Sequence, residues 1–195
     1  IDHFLMTREI AIETIINNFK KNYKVVSTTG MISRELYEIR KKQNQKLEND
    51  FLTVGSMGHA SQIALGIALK SKKKIICLDG DGSAIMHLGS QAVISSQNPK
   101  NLVHIILNNG AHDSVGGQPT VGRKISFSSV AFGLKYKKIF VVKSKEEIKS
   151  LSKEIAFNNG PTFIEIFIKK GARANLGRPK SNPQDNKVQF MKNIQ

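Results

Sequence analysis

Short apolar runs rich in Ile and Val alternate along this chain with longer stretches of helical period. Residues 75–78 and 102–107 read as strands buried on both faces, and residues 84–95 between them read as a helix. Upstream, residues 6–21 carry Ile10, Ile12, Ile15, Ile16 and Phe19 behind Thr7 as a plausible N-cap, the pattern of an amphipathic helix. A strand over 24–27 then ends in Thr28-Thr29-Gly30, with a helix opening after it, and a small-residue helix is expected over 60–69. Downstream the reading gives a helix over 126–134, a strand over 138–142, a helix over 144–157, a strand over 161–168 and a last helix over 183–193. The 144–157 helix starts at Ser144 with Glu147 three residues on, a capping box. No repeat or low-complexity linker breaks the alternation. The expected fold is one α/β domain over residues 1–195, a doubly wound, mainly parallel sheet with helices on both faces.

The first two strands named both finish abruptly in polar, glycine-rich turns: Asp79-Gly80-Asp81-Gly82-Ser83 and Asn108-Asn109-Gly110. Ligands of open parallel sheets bind outside the carboxyl ends of the strands, so the two turns should lie side by side at that edge. Asp81 and Asn109 offer a carboxylate and an amide oxygen, and the turn after Asn109 can add a backbone carbonyl. Hard oxygen ligands of this kind suit Mg²⁺ shared with phosphate oxygens. Gly80 and Gly82 let the backbone approach closely, and a helix starting near Ser83 aims free N–H groups at an anion. An ordinary turn pair is the plain alternative, and an EF-hand is excluded because no glutamate stands at the required distance.

Length and charge narrow the picture further. At 195 residues the chain can bury one good core. Its net charge of +15 comes from lysines spread over many segments, without aromatic interleaving or a nucleic-acid-binding motif, so nucleic acid is not the expected partner. No apolar run approaches membrane-spanning length and no signal peptide is visible. The single cysteine, Cys77, sits in a buried strand and reads as core packing in a cytoplasmic protein. The chain begins at Ile1 rather than Met, as a fragment or a processed form would.

Gly80-Asp81-Gly82-Ser83 followed by Asn108-Asn109, with Asp81 and Asn109 28 residues apart, resembles the signature of thiamine diphosphate enzymes. The resemblance implies thiamine diphosphate and Mg²⁺ as cofactors, with Asp81, Asn109 and the carbonyl of Ala111 as metal ligands. It sets Gly55, Ser56 and Met57 against the cofactor's aminopyrimidine ring, Gly80 to Ser83 near its diphosphate, and Met31 or Ile32 beneath its bent centre. The loop 110–120, the segment 56–61 and the end at 176–179 are similar to the branch of the family that decarboxylates small anionic 2-oxo acids without oxidation. There a phosphonate and a sulfonate substrate are both open, and the rival of another class is a non-catalytic cofactor-binding or assembly subunit, against which the intact Asp81 and Asn109 speak. His112 is the candidate for substrate contact or proton transfer; His59 has a lower claim, and Arg123 and Lys124 could attract the anion or be solvated charge. Resembling enzymes complete their site with a pyrimidine-binding domain, nothing like which stands in this sequence. The resemblance therefore implies a partner domain or subunit and a homo- or hetero-oligomer.

Overall fold

A computed structural model describes residues 6–19, 22–155 and 159–194. Within them the chain runs α1 (Arg8–Asn18), β1 (Tyr23–Ser27), α2 (Met31–Lys42), β2 (Asp50–Leu52), α3 (Ala60–Lys70), β3 (Lys74–Gly80), α4 (Asp81–Met86), α5 (Ser90–Gln97) and β4 (Leu102–Asn108). It continues through β5 (Ala111–His112), β6 (Gln118–Pro119), α6 (Phe127–Gly133), β7 (Lys138–Val142), α7 (Lys145–Glu154), β8 (Thr162–Phe167) and α8 (Pro183–Ile194). Six strands form one sheet in the order β2-β1-β3-β4-β8-β7, every neighbouring pair parallel.

Alternation along each strand sends side chains to two cores. Ile76, Leu78, Ile105, Leu107, Ile164 and Ile166 pack with Ile12 and Ile15 of α1, Leu36 of α2 and Ile148 of α7. Ile75, Cys77, Leu102, Ile106 and Phe163 pack on the other face with Ala60 and Ala64 of α3, Ile94 of α5 and Phe127 of α6. This is the doubly wound arrangement expected from strands that are apolar throughout. Cys77 is a free thiol at full burial, and that burial pushes its acidity well out of reach, which fits a packing role.

The caps follow local chemistry. Thr7 Oγ1 accepts the Ile10 N–H at 3.1 Å, and Ser144 Oγ accepts that of Glu147 at 3.2 Å. The capping box is altered, because Glu147 Oε2 accepts from the N–H of Lys143 rather than of Ser144. The expected helix ends at residues 20–21 and 156–157 lie outside the described residues.

Several features depart from the sequence reading, among them the pairing of β5 with β6 inside the stretch read as the loop 110–120. The helix expected over 84–95 is two helices, α4 and α5, parted at residues 87–89, where His87 leaves helical geometry (φ −131°, ψ 51°). Strand β3 runs on through Asp79 and Gly80, since its ladder with β4 continues to the pair Gly80 and Leu107. Strand β2 was not expected: three residues are too few for a periodicity to show. It is anchored instead by charge, with Arg40 Nε and Nη2 donating to Asp50 at 2.9 and 3.0 Å in a buried bidentate pair. Asp50→Ala should cost about 3–5 kcal/mol, because it leaves the Arg40 guanidinium buried without its carboxylate; urea unfolding of the variant beside the parent checks it.

Candidate functional site

From β1 the chain first extends the sheet on one side with β2, then returns to the other side with β3. The order therefore reverses between β1 and β3, and the crevice beyond their carboxyl ends is where such a sheet takes a ligand. A cleft lies there, lined by Thr28, Thr29, Met31, Ile32, Met57, Gly80 to Ser83, Asn109, Ala111 and His112, with Arg8, Asp113 and Ser114 at one side.

Asp81 opens α4 and is 1% exposed. The Thr120 hydroxyl donates to its Oδ2, and the Asn109 backbone N–H bonds it as well. Burial raises its pKa above the usual carboxylate value, and these two donors oppose the rise. The loop returning from β6 closes tightly over it. A Cβ on Gly122 would fall 2.4 Å from Asp81 Oδ2, so only glycine lets this backbone pass.

The two asparagines after β4 do different work. Asn108 is fully buried; its Nδ2 donates to the Gly122 carbonyl and to Glu165 Oε1, each at 2.8 Å, tying the loop to β8. Asn109 faces the cleft, with Nδ2 donating to Asp113 Oδ2 at 2.7 Å and Oδ1 accepting from the Ala111 N–H at 3.1 Å. The Thr120 N–H donates to the Gly110 carbonyl at 3.0 Å, so Ala111 and Pro119 face each other as a non-hydrogen-bonded antiparallel pair and the Ala111 carbonyl is directed away from β6.

His112 lines the cleft with its ring resting directly on Gly82: a Cβ there would meet the ring at 2.4 Å from Cε1. Gly82 thus makes room for an imidazole. Ser83 Oγ bonds Thr28 Oγ1 at 2.9 Å and accepts the Gly58 N–H at 3.0 Å, so it fastens two loops to the start of α4.

Of the residues singled out in the sequence, Met31, Met57, Gly80, Asp81, Gly82, Ser83, Asn109, Ala111 and His112 come together in this cleft. Ile32 lines it too, which leaves Met31 and Ile32 both in position. Gly55 and Ser56 are not among its lining residues. They form a left-handed turn beside it (φ 72° and 47°), and the Gly55 N–H donates to Thr29 Oγ1 at 3.2 Å. His59 lies against His87, ring centres 4.5 Å apart and planes tilted by 59°, and does not line the cleft. Arg123 is engaged by the Ile168 carbonyl at 2.6 Å and by the Phe167 ring. Sequence reasoning missed Arg8, Asp113 and Thr120. Thr120 reaches Asp81 across 39 residues of chain, and Arg8 reads as an ordinary helix residue, so neither carried a local signal.

The donor set is one carboxylate, one amide oxygen and one peptide carbonyl. These are hard oxygens suited to Mg²⁺, at a place where a diphosphate could complete the coordination.

With solved structures the fold is shared: the thiamine diphosphate-dependent 4-hydroxybenzoylformate decarboxylase of Rhodococcus jostii aligns with a TM-score of 0.63 at 20% identity, over 85% of this chain and 33% of that one. Residues 26–166 match the family described as thiamine pyrophosphate enzyme, C-terminal TPP binding domain, and the chain belongs to that family. A phosphonopyruvate decarboxylase of Streptomyces hygroscopicus is 38% identical over 179 residues, 92% of this chain and 43% of that protein. The sulfopyruvate decarboxylase subunit beta of Methanocaldococcus jannaschii is 40% identical over 123 residues, 63% of each. The chain thus spans less than half the length of the Streptomyces relative.

The contact between Gly82 and His112 can be tested by itself. Gly82→Ala should cost about 1–3 kcal/mol by overpacking, and removing the ring in the Gly82→Ala/His112→Ala double variant should recover most of it. A double-mutant cycle from denaturant unfolding reads the coupling.

Proposed function

We propose that this chain supplies the diphosphate- and Mg²⁺-binding half of a non-oxidative decarboxylase that converts 3-phosphonopyruvate to phosphonoacetaldehyde and CO₂. The observation that carries the reading is the convergence of Asp81, Asn109 and Ala111 at the ends of β3 and β4, beside the crevice where the strand order reverses. The similarity to the Streptomyces decarboxylase over 92% of this chain supports the phosphonate as substrate.

In this reading Asp81, the Asn109 amide oxygen and the Ala111 carbonyl hold the metal. The backbone of Gly80 to Ser83 lies against the diphosphate, and Met31 or Ile32 supports the cofactor from below. Gly55, Ser56 and Met57 meet its pyrimidine end. When bound, thiamine diphosphate supplies the electron sink for loss of CO₂. The His112 imidazole hydrogen-bonds the substrate's anionic end or moves a proton through a ring nitrogen.

A pyrimidine-binding domain or subunit covers the open side of the cleft in this proposal. Val54, Met86 and Val115 are 68%, 55% and 64% exposed on the loops and short helix around it, apolar surface suited to a partner. We place the assembly in the cytoplasm, a reducing compartment that suits the lone buried thiol of Cys77. A sulfopyruvate decarboxylase of split subunits is the second reading, favoured by the similarity to the Methanocaldococcus beta subunit.

Product formation from 3-phosphonopyruvate, 3-sulfopyruvate and pyruvate, with Mg²⁺ and thiamine diphosphate, tests the reading on the chain alone and with its pyrimidine-binding half. Turnover of the phosphonate in the combined sample alone is expected. Preference for the sulfonate would move the assignment to the second reading, and turnover by the chain alone would refute the divided site. His112→Ala should lower the combined rate by about 10²–10⁴-fold.

A further inference from the structure

Asn109 can serve a metal only if its oxygen, and not its amide nitrogen, faces the site. The two ends of a carboxamide are nearly the same size, so something other than shape must decide. Here the nitrogen is claimed by Asp113 Oδ2 at 2.7 Å, and a carboxylate accepts only from the nitrogen end. That same oxygen also accepts from Arg8 Nη1 and from the Gly171 N–H, each at 3.0 Å. Arg8 is itself fixed: it is 4% exposed and donates through Nε and Nη2 to the two oxygens of buried Glu35, each at 3.0 Å. The chain of contacts therefore runs from α2 through α1 to the loop after β4, and it takes in the basic segment that follows β8.

We propose that Asp113, braced by Arg8, is a positioning residue that sets the Asn109 amide so that its oxygen is presented to the metal. This rests on the metal-site reading above. Asp113 touches neither metal nor substrate in this role; it acts through Asn109. Because all three donors fall on Oδ2, one oxygen at that place is sufficient, and charge on Asp113 is not required. The Ala111 N–H meets the oxygen end of the same amide at 3.1 Å, so an isosteric amide at 113 keeps the carboxamide held at both ends, whereas alanine leaves it held by that one neutral N–H and exposes its nitrogen end to turning. Partners that orient a metal ligand in this way are commonly worth about 10–100-fold in metal affinity.

The test is Mn²⁺ affinity, with Mn²⁺ replacing Mg²⁺, read from the loss of the free-ion electron paramagnetic resonance signal. It is measured in the presence of thiamine diphosphate on this chain assembled with its pyrimidine-binding half. Asp113→Ala should raise the Mn²⁺ dissociation constant about tenfold or more, while Asp113→Asn stays within about threefold of the parent, the scatter expected of a context-dependent contact. An Asp113→Ala protein within that threefold, or an Asp113→Asn protein weakened as much as the alanine variant, would overturn the inference; the asparagine arm decides alone if the alanine variant does not fold. Absence of cofactor-dependent Mn²⁺ binding by the parent would overturn the metal-site reading and this inference with it. Parent binding with an insensitive Asp113→Ala would overturn this inference alone.

Discussion

The parallel register of β3 with β4 is the constraint on which the rest of the structure depends. It sets Asp79 beside Ile106 and Gly80 beside Leu107, so both strands end at one level and their polar turns face one another. A slip of one residue would turn every side chain of a strand to the other face and bury Asp81 and Asn109 in the wrong layer. That register is held by apolar alternation into two cores, one under α1, α2 and α7 and one under α3, α5 and α6. The site is thus a by-product of where the hydrophobic sheet stops.

Bringing polar groups to a buried edge creates a second requirement: each must find a partner. Thr120 answers Asp81, Glu165 and the Gly122 carbonyl answer Asn108, and Asp113 answers Asn109. Most of these partners come from the loop that links β4 to α6, so one excursion of the chain both closes the cleft and satisfies its walls. Glycines stand where that loop must pass closest, at Gly122 over the carboxylate and at Gly82 under the His112 ring. Behind the cleft, Asp79 Oδ1 accepts the Gly80 N–H at 2.9 Å, and His104 Nε2 lies 3.4 Å from its other oxygen, which steadies the turn from the far layer.

Much of this was legible in the sequence because it is carried by local pattern. Apolar runs of strand length, the polar turns that end them and the spacing of Asp81 from Asn109 are all visible without a structure, and they led to the doubly wound sheet and to the meeting of the 80–83 and 108–110 turns at one edge; Met31, Met57 and Ala111 were reached through the family resemblance and line the same cleft. What escaped depended on long-range pairing or on elements too short to have a period. Strand β2 is held by Arg40 and Asp50 rather than by alternation. Arg8 and Asp113 are joined across 105 residues of chain. The break between α4 and α5 was hidden because residues 87–89 carry no proline and the apolar spacing runs through them. Gly55 and Ser56, placed by resemblance, form a left-handed turn beside the cleft and are not among its lining residues.

The central claim is that Asp81, Asn109 and Ala111 bind a divalent cation that in turn anchors a diphosphate. Equilibrium binding of thiamine diphosphate to the assembled chain across a Mg²⁺ titration tests it most directly. The account predicts that cofactor affinity rises with Mg²⁺, collapses on chelation, and loses this metal dependence in Asp81→Ala. Binding of equal strength with and without the metal would contradict it.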